Sequence, residues 1–118
     1  MIDFYGYDNC DTCRKAKKWL GSHGIEYRSI PIVDKPPSKA LLSKILKSGE
    51  YELKHLFNTS GQVYRQMKIK EKLAMMSQTD AVALLAENGK LCKRPIVTDG
   101  TRHTVGFKPE VFQDAWVR

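Results

Sequence analysis

Tyr5–Leu20 reads YGYDNCDTCRKAKKWL, and the way this stretch divides decides the fold. It opens inside IDFYGY (Ile2–Tyr7), whose aromatic and β-branched side chains mark a short strand. After Cys13, Ala16, Trp19 and Leu20 recur at helical spacing while Lys15, Lys17 and Lys18 fall on the other face, so an amphipathic helix follows. Gly24, in the Ser-His-Gly run, can take the left-handed cap that ends it. IEYRSIPIV (Ile25–Val33) is extended again. Strand, helix and strand in about thirty residues make a βαβ unit, and its two strands should be parallel.

Beyond this unit the chain turns helical. Pro36-Pro37-Ser38 starts a helix with Leu41, Leu42, Ile45 and Leu46 on one stripe and Gly49 just past its end. Lys54–Met67 reads as a short helix, a turn at NTSG (Asn58–Gly61) and a second helix. Ser77-x-x-Asp80 is a capping-box pattern for AVALLAEN, which Gly89 should end. Arg94–Phe107 then reads as a hairpin, with strands at Pro95–Thr98 and Thr104–Phe107 and a turn at Asp99-Gly100. Lys108-Pro109-Glu110 opens a last helix that turns Val111, Phe112, Ala115 and Trp116 inward.

The fold class that results is α/β: a thioredoxin-like four-stranded mixed sheet assembled from βαβ and ββα halves, with a helical insertion between them. One domain is expected over 1–118, with 1–33 and 94–118 forming the thioredoxin-like part and 38–90 the insertion. No linker or repeat interrupts it. In this topology the loop after the first strand lies beside the turn before the third. Cys10 should therefore approach Arg94 and Pro95, although 84 positions separate Cys10 from Arg94.

Composition narrows the function classes. A 118-residue chain with 42% hydrophobic and 28% charged residues can bury a core without disulfide staples. Three cysteines are an odd number, unlike a secreted disulfide framework. The N-terminus lacks the features of a signal peptide, and no apolar run has a membrane-spanning length, so a cytoplasmic protein without membrane contact is expected. The net charge of +7 raises the question of nucleic acid. The basic residues, however, are dispersed among helix positions and no RNA-binding signature accompanies them, which argues against direct nucleic-acid contact. No apolar exposed stripe stands out, so a monomer is expected.

Cys10 and Cys13 carry the chemistry. A thiolate attacks disulfides and a thiol does not, so reactivity needs a lowered pKa. A cysteine just ahead of a helix faces unpaired N–H groups and the positive end of the macrodipole. Arg14, Lys15 and Arg94 add positive charge, while Asp8 and Asp11 oppose it, giving a moderate depression. The spacing of two places Cys13 one turn along, where it can attack a mixed disulfide on Cys10. Cys10 is thus the expected nucleophile, Cys13 the resolver and Arg94 the cation that lowers the pKa or grips an oxyanion. Asn9, Thr12, Arg14 and Pro95 are the expected substrate contacts, with Pro95 a candidate cis proline.

Two other readings of the pair stand beside this one. Cys-x-x-Cys supplies half of a zinc site, for which Cys92, His23, His55 and His103 are the remaining ligand types; they form no second close pair. Inert packing is the third reading. Cys92, in LCKRPI, reads as a half-buried small residue, with a third redox thiol as the alternative. Neither a metal nor a bound cofactor is called for.

FYGYDNCDTCRKAKKWL, the Pro-Pro-Ser helix start, LFNTSGQVYRQM, and KRPIV followed by Val-Gly-Phe together resemble the arsenate-reductase-like family of ArsC and Spx over essentially Met1–Arg118. The resemblance implies a thioredoxin-like fold. For its reductases it implies a first-cysteine nucleophile matching Cys10, three arginines on the oxyanion with Arg94 matching one, and electrons from external glutathione and glutaredoxin. The other two arginine positions fall near Asn58 and near Gly106-Phe107, where no arginine stands; Arg65 or Arg102 would have to substitute. For the Spx branch it implies a Cys-x-x-Cys switch and binding to the RNA polymerase α subunit, through a region whose glycine aligns with Glu52. The expected function is a thiol–disulfide oxidoreductase related to arsenate reductase, acting on a small thiol or oxyanion substrate with a thiol donor such as thioredoxin or glutathione/glutaredoxin. The alternatives are a redox-sensing regulator that binds the polymerase α subunit and a genuine arsenate reductase.

Overall fold

Ile2, Phe4 and Gly6 are buried while Asp3 and Tyr5 are half-buried, the alternation of a strand with one face on a core. In chain order the elements are β1 (Ile2–Gly6), α1 (Asp11–Ser22), β2 (Tyr27–Pro31), α2 (Lys39–Lys47), α3 (Gln62–Gln66), α4 (Ile69–Leu73), α5 (Gln78–Glu87), β3 (Ile96–Thr98), β4 (His103–Val105) and α6 (Pro109–Trp116), with 3-10 turns at Leu53–Leu56 and Gly89–Leu91. This computed structural model describes residues 1–117; Arg118, the last residue of the expected domain, lies outside the described residues. Two units divide the chain, Met1–Pro31 with Arg94 onward, and Ile32–Lys93. Among the described residues no helix is long and apolar enough to cross a membrane.

The first unit holds the whole sheet, in the order β2-β1-β3-β4. β2 runs parallel to β1, whereas β1–β3 and β3–β4 are antiparallel, so the sheet is the mixed, thioredoxin-like one expected. Asp3 and Arg28 are register partners, and the guanidinium forks onto the carboxylate at 2.9 and 3.1 Å. Ile2, Phe4, Cys13, Ala16, Leu20, Val97, Phe112 and Trp116 form its core. Full burial of Phe4, Leu20 and Phe112 contributes about 2–3 kcal/mol each before entropy. The Trp116 indole N–H is satisfied within this core by Thr104 Oγ1 at 3.2 Å.

Several boundaries differ from the sequence reading: β2 is the shorter Tyr27–Pro31, β3 starts at Ile96, and β4 ends at Val105. β1 stops at Gly6, which leaves Tyr7 outside the sheet. The hairpin turn holds four residues rather than Asp99-Gly100 alone: Asp99 Oδ1 accepts the N–H groups of Thr101 at 2.8 Å and Arg102 at 2.7 Å, and Gly100 sits at φ +95°. The aspartate's side chain thus builds the turn, and β4 begins at His103.

In the second unit, Ser38 Oγ accepts the Leu41 N–H at 3.1 Å to cap α2, which buries Leu42 and Ile45 against α5. Ser77 caps α5 in the same way through the Asp80 N–H, also at 3.1 Å. α4 was not expected; it starts after Lys68, which holds φ +53°, a left-handed conformation uncommon for a side-chain-bearing residue. Gly89 does not cap α5 either, since Asn88 does. Gly89 opens a 3-10 turn, and a Cβ there would lie 1.9 Å from the Ile32 carbonyl oxygen. Close backbone approach, rather than a left-handed φ, is what calls for glycine.

Candidate active site

Cys10 is the N-cap of α1, with extended backbone angles (φ −107°, ψ 117°), and its Sγ accepts the Cys13 N–H at 3.4 Å. Serine, threonine or aspartate oxygens usually fill that position, and a donor aimed at sulfur favours the anion over the thiol. The loop is fixed on both sides: the Cys10 N–H donates to the Tyr7 carbonyl at 3.1 Å, and the Arg14 N–H to the Cys10 carbonyl at 3.0 Å. Cys10 is half-buried, Cys13 is buried, and both are free thiols.

Their environments drive the two thiols apart. Burial alone would raise Cys10, but the Cys13 thiol and N–H, the Arg94 guanidinium and the Thr12 N–H outweigh it and hold Cys10 below the ordinary 9.0. Cys13 is pushed up to about 12 by burial first, and then by its hydrogen bond to Cys10 and the neighbouring Cys10 charge. The pair therefore consists of one thiol that ionises more readily than an ordinary cysteine and one that holds its proton. Gly6 makes room for this packing, because a Cβ there would lie 2.5 Å from Phe4 Cε1 and 3.5 Å from Cys13 Sγ.

Arg94 enters from the turn before β3, at a cis Arg94–Pro95 bond. The β1–β3 ladder runs from Asp3↔Thr98 to Tyr5↔Ile96 and stops short of this turn. The Pro95 carbonyl accepts the Gly106 N–H at 2.9 Å, and Gly106 holds φ +79°. The guanidinium carbon lies 5.1 Å from the centroid of the Tyr7 ring. Nη1 is buried and has no hydrogen-bond partner.

Thus Cys10, Cys13, Arg94 and Pro95 gather as the sequence suggests, and Thr12 joins them through its backbone N–H. Arg14 donates to the Asp8 carbonyl at 2.8 Å and pairs with Asp11, one turn away on the same helix face, so its charge is partly offset. Asp8 is paired in turn with Lys17 at 3.7 Å. Arg94 is the cation that acts on Cys10. Asn9 is exposed and has no hydrogen bond among the described residues. Tyr7 was missed: read as the end of a strand, it lies instead under the arginine.

Cys92, Arg65, Glu52 and His55 belong to the second unit. Cys92 is fully buried in the second unit, where its Sγ donates to the Leu85 carbonyl at 3.5 Å. It is wholly rather than half buried, and it does not present a third attacking thiol. The position near Gly106-Phe107 holds a ring packed edge-on against Phe112, with centroids 4.8 Å apart. Arg102 sits at the far end of the hairpin and reaches the Ala115 carbonyl at 3.5 Å; Arg65, in the second unit, donates to the Ser60 carbonyl. Glu52 adopts φ −90°, open to any residue, and caps a 3-10 turn reciprocally with His55. His23 stacks on Trp19 and His103 bonds Thr98 Oγ1. Among the described residues no three metal-ligating side chains converge.

A model of the ArsC family matches residues 5–115. The chain is 49% identical to YusI of Bacillus subtilis over 115 residues, 98% of each protein. It is 29% identical over 110 residues to the global transcriptional regulator Spx of Streptococcus pyogenes, covering 93% of this chain and 81% of that one. A solved structure described as a possible arsenate reductase from Streptococcus mutans superposes with a TM-score of 0.85 at 39% identity, over 92% of each chain.

Proposed function

The chain belongs to the ArsC family, and on that footing we propose that it is a thiol–disulfide reductase whose attacking group is the Cys10 thiolate. The observation that carries this reading is the placement of that sulfur: half-exposed at the tip of α1, served by the Cys13 and Thr12 N–H groups and facing an uncancelled guanidinium. In the first step Cys10 Sγ attacks one sulfur of a small disulfide, forming a mixed disulfide and expelling the other half as a thiolate. In the second, Cys13 gives up its proton, attacks Cys10 Sγ and releases the bound half, which takes the proton and leaves as a thiol. The Cys10–Cys13 disulfide is then reduced, with two electrons, by an external thiol donor such as thioredoxin or glutathione/glutaredoxin. No bound cofactor is needed, and a reducing cytoplasm suits the cycle.

The first step prepares the second. Once Cys10 is a mixed disulfide, its charge and the hydrogen bond it receives from the Cys13 thiol are gone, while Arg94 remains to lower Cys13. The resolving thiol becomes easier to ionise when it is needed.

Arsenate suits this site less well. The reductases that the sequence resembles hold their oxyanion with three arginines, whereas here Arg94 is the arginine whose charge acts on Cys10 and an aromatic ring occupies the Phe107 position. Side-by-side assays of arsenate and a small disulfide, each supplied with glutathione and glutaredoxin and separately with thioredoxin, test the proposal. Turnover should appear with the disulfide and stay near background with arsenate. No disulfide turnover with either donor would refute the reductase reading. Alkylation of Cys10 by iodoacetamide should rise with pH to a plateau with its midpoint below 9.0.

A redox-responsive regulator is the second reading, favoured by the 29% identity to Spx and by the presence of both cysteines. It requires the RNA polymerase α subunit to bind the oxidised and reduced forms differently in a pull-down. Equal or absent binding in both forms excludes it.

A further inference from the structure

Two arginines flank the candidate site, and they are held in opposite ways. Arg14 pairs at the surface with a carboxylate, Asp11, which offsets part of its charge. Arg94 has no carboxylate partner among the described residues, and its Nη1, although buried, finds no acceptor. What packs on it is the ring of Tyr7, 5.1 Å from ring centroid to guanidinium carbon. An aromatic face attracts a guanidinium through its quadrupole, carries no net charge of its own, and leaves the N–H donors, which lie in the guanidinium plane, unconsumed. An acidic residue could hold the arginine equally firmly but would silence it.

We propose that Tyr7 is the positioning residue of this site: its ring clamps Arg94 beside Cys10 while leaving the guanidinium's charge and donors uncancelled. This rests on the reading of Cys10 as the nucleophile. Tyr7 is suited to the task because its backbone belongs to the same loop. Its carbonyl accepts the Cys10 N–H at 3.1 Å, so ring and nucleophile share one rigid turn. Its side of the ring remains partly open, with the residue 37% exposed, so a clamp rather than a core role fits it. The charged and titratable side chains that act on Cys10 are Arg94 from the strand side and Cys13 from α1; its own loop and first turn also carry the Tyr7 phenol, Asp8, Asp11 and Arg14. Asp8 and Asp11 are paired with Lys17 and Arg14, so Arg94 supplies the field.

The test is the pH profile of iodoacetamide alkylation at Cys10, read by mass spectrometry, in wild type, Tyr7→Phe, Tyr7→Leu, Arg94→Ala and the Tyr7→Leu/Arg94→Ala double variant. Tyr7→Phe keeps the aromatic face and should follow the wild-type curve. Tyr7→Leu fills the space without a quadrupole; its midpoint should move up toward that of Arg94→Ala, with alkylation at neutral pH slowed roughly three- to tenfold. The double variant should match Arg94→Ala alone, because Tyr7 acts through the arginine. A wild-type midpoint in Tyr7→Leu, or a further shift of equal size in the double variant, overturns the proposal. Thermal melts identify any variant that fails to fold; should Tyr7→Leu do so, Tyr7→Met, also without an aromatic face, is read in its place against the same expectation. Alkylation needs no turnover, so loss of the reductase reading would show in the disulfide assay and leave this result readable.

Discussion

Cys10→Ser should lower disulfide turnover to background, a loss of at least about a thousandfold, while the protein keeps its fold. A serine hydroxyl is not ionised near neutral pH, and no other sulfur can take over. Cys13 is only 1% exposed and its thiol is pushed up to about 12. Cys92 is sealed in the other unit and donates to Leu85. Cys13→Ser should behave differently, because the first attack survives and the second does not. Mixed with a small disulfide, that variant should accumulate one adduct on Cys10, visible as a single added mass that a reducing agent removes. If Cys10→Ser turned over at the wild-type rate, the nucleophile would have been misassigned. If Cys13→Ser cycled normally without an adduct, an external thiol and not Cys13 would be the resolver. Since Cys10 is lowered and Cys13 raised in the reduced protein, the rate of the first attack should increase as pH rises through the Cys10 value and then level off, well before Cys13 ionises.

Much of this site can be read from sixteen residues of sequence because its parts are local. A strand, two cysteines and an amphipathic helix in succession leave Cys10 few places other than the cap of α1. The approach of Arg94 and Pro95 also follows, since it depends only on strand order. Side-chain choices between neighbours are harder to read. Arg14 and Asp11 lie at i, i+3 in a helix, so their pairing was available to the reading, yet the arginine could equally have faced the thiolate; only the folded loop decides. Tyr7 shows the same limit. Alternation extends the strand through Tyr7, but Gly6 ends it and frees the ring to meet an arginine distant in sequence. Asp-Gly suggests a two-residue loop, whereas the Asp99 carboxylate recruits two N–H groups and lengthens the turn. Short helices such as α4 carry too little periodicity to register at all.

Glycine gives the sharpest contrast between pattern and structure, and the second large effect is expected there. Gly89→Ala should destabilise the protein by about 3 kcal/mol or more, seen as a lower denaturant midpoint. The added methyl would lie 1.9 Å from the Ile32 carbonyl oxygen and 2.7 Å from Ile32 C and Val33 Cα. All three are backbone atoms, so no side chain can swing aside; the 3-10 turn and the segment at Ile32 would have to separate. That segment is anchored, because Ile32 is itself fully buried. Gly21→Ala serves as the control. It lies in α1 with nothing within 4 Å of its Cβ position, and alanine is the better helix former, so a gain of up to about 1 kcal/mol is expected. Opposite signs at the two positions would separate steric exclusion from helix propensity. An unchanged midpoint for Gly89→Ala would mean that the Ile32 carbonyl does not press on this turn, and glycine there would need another explanation.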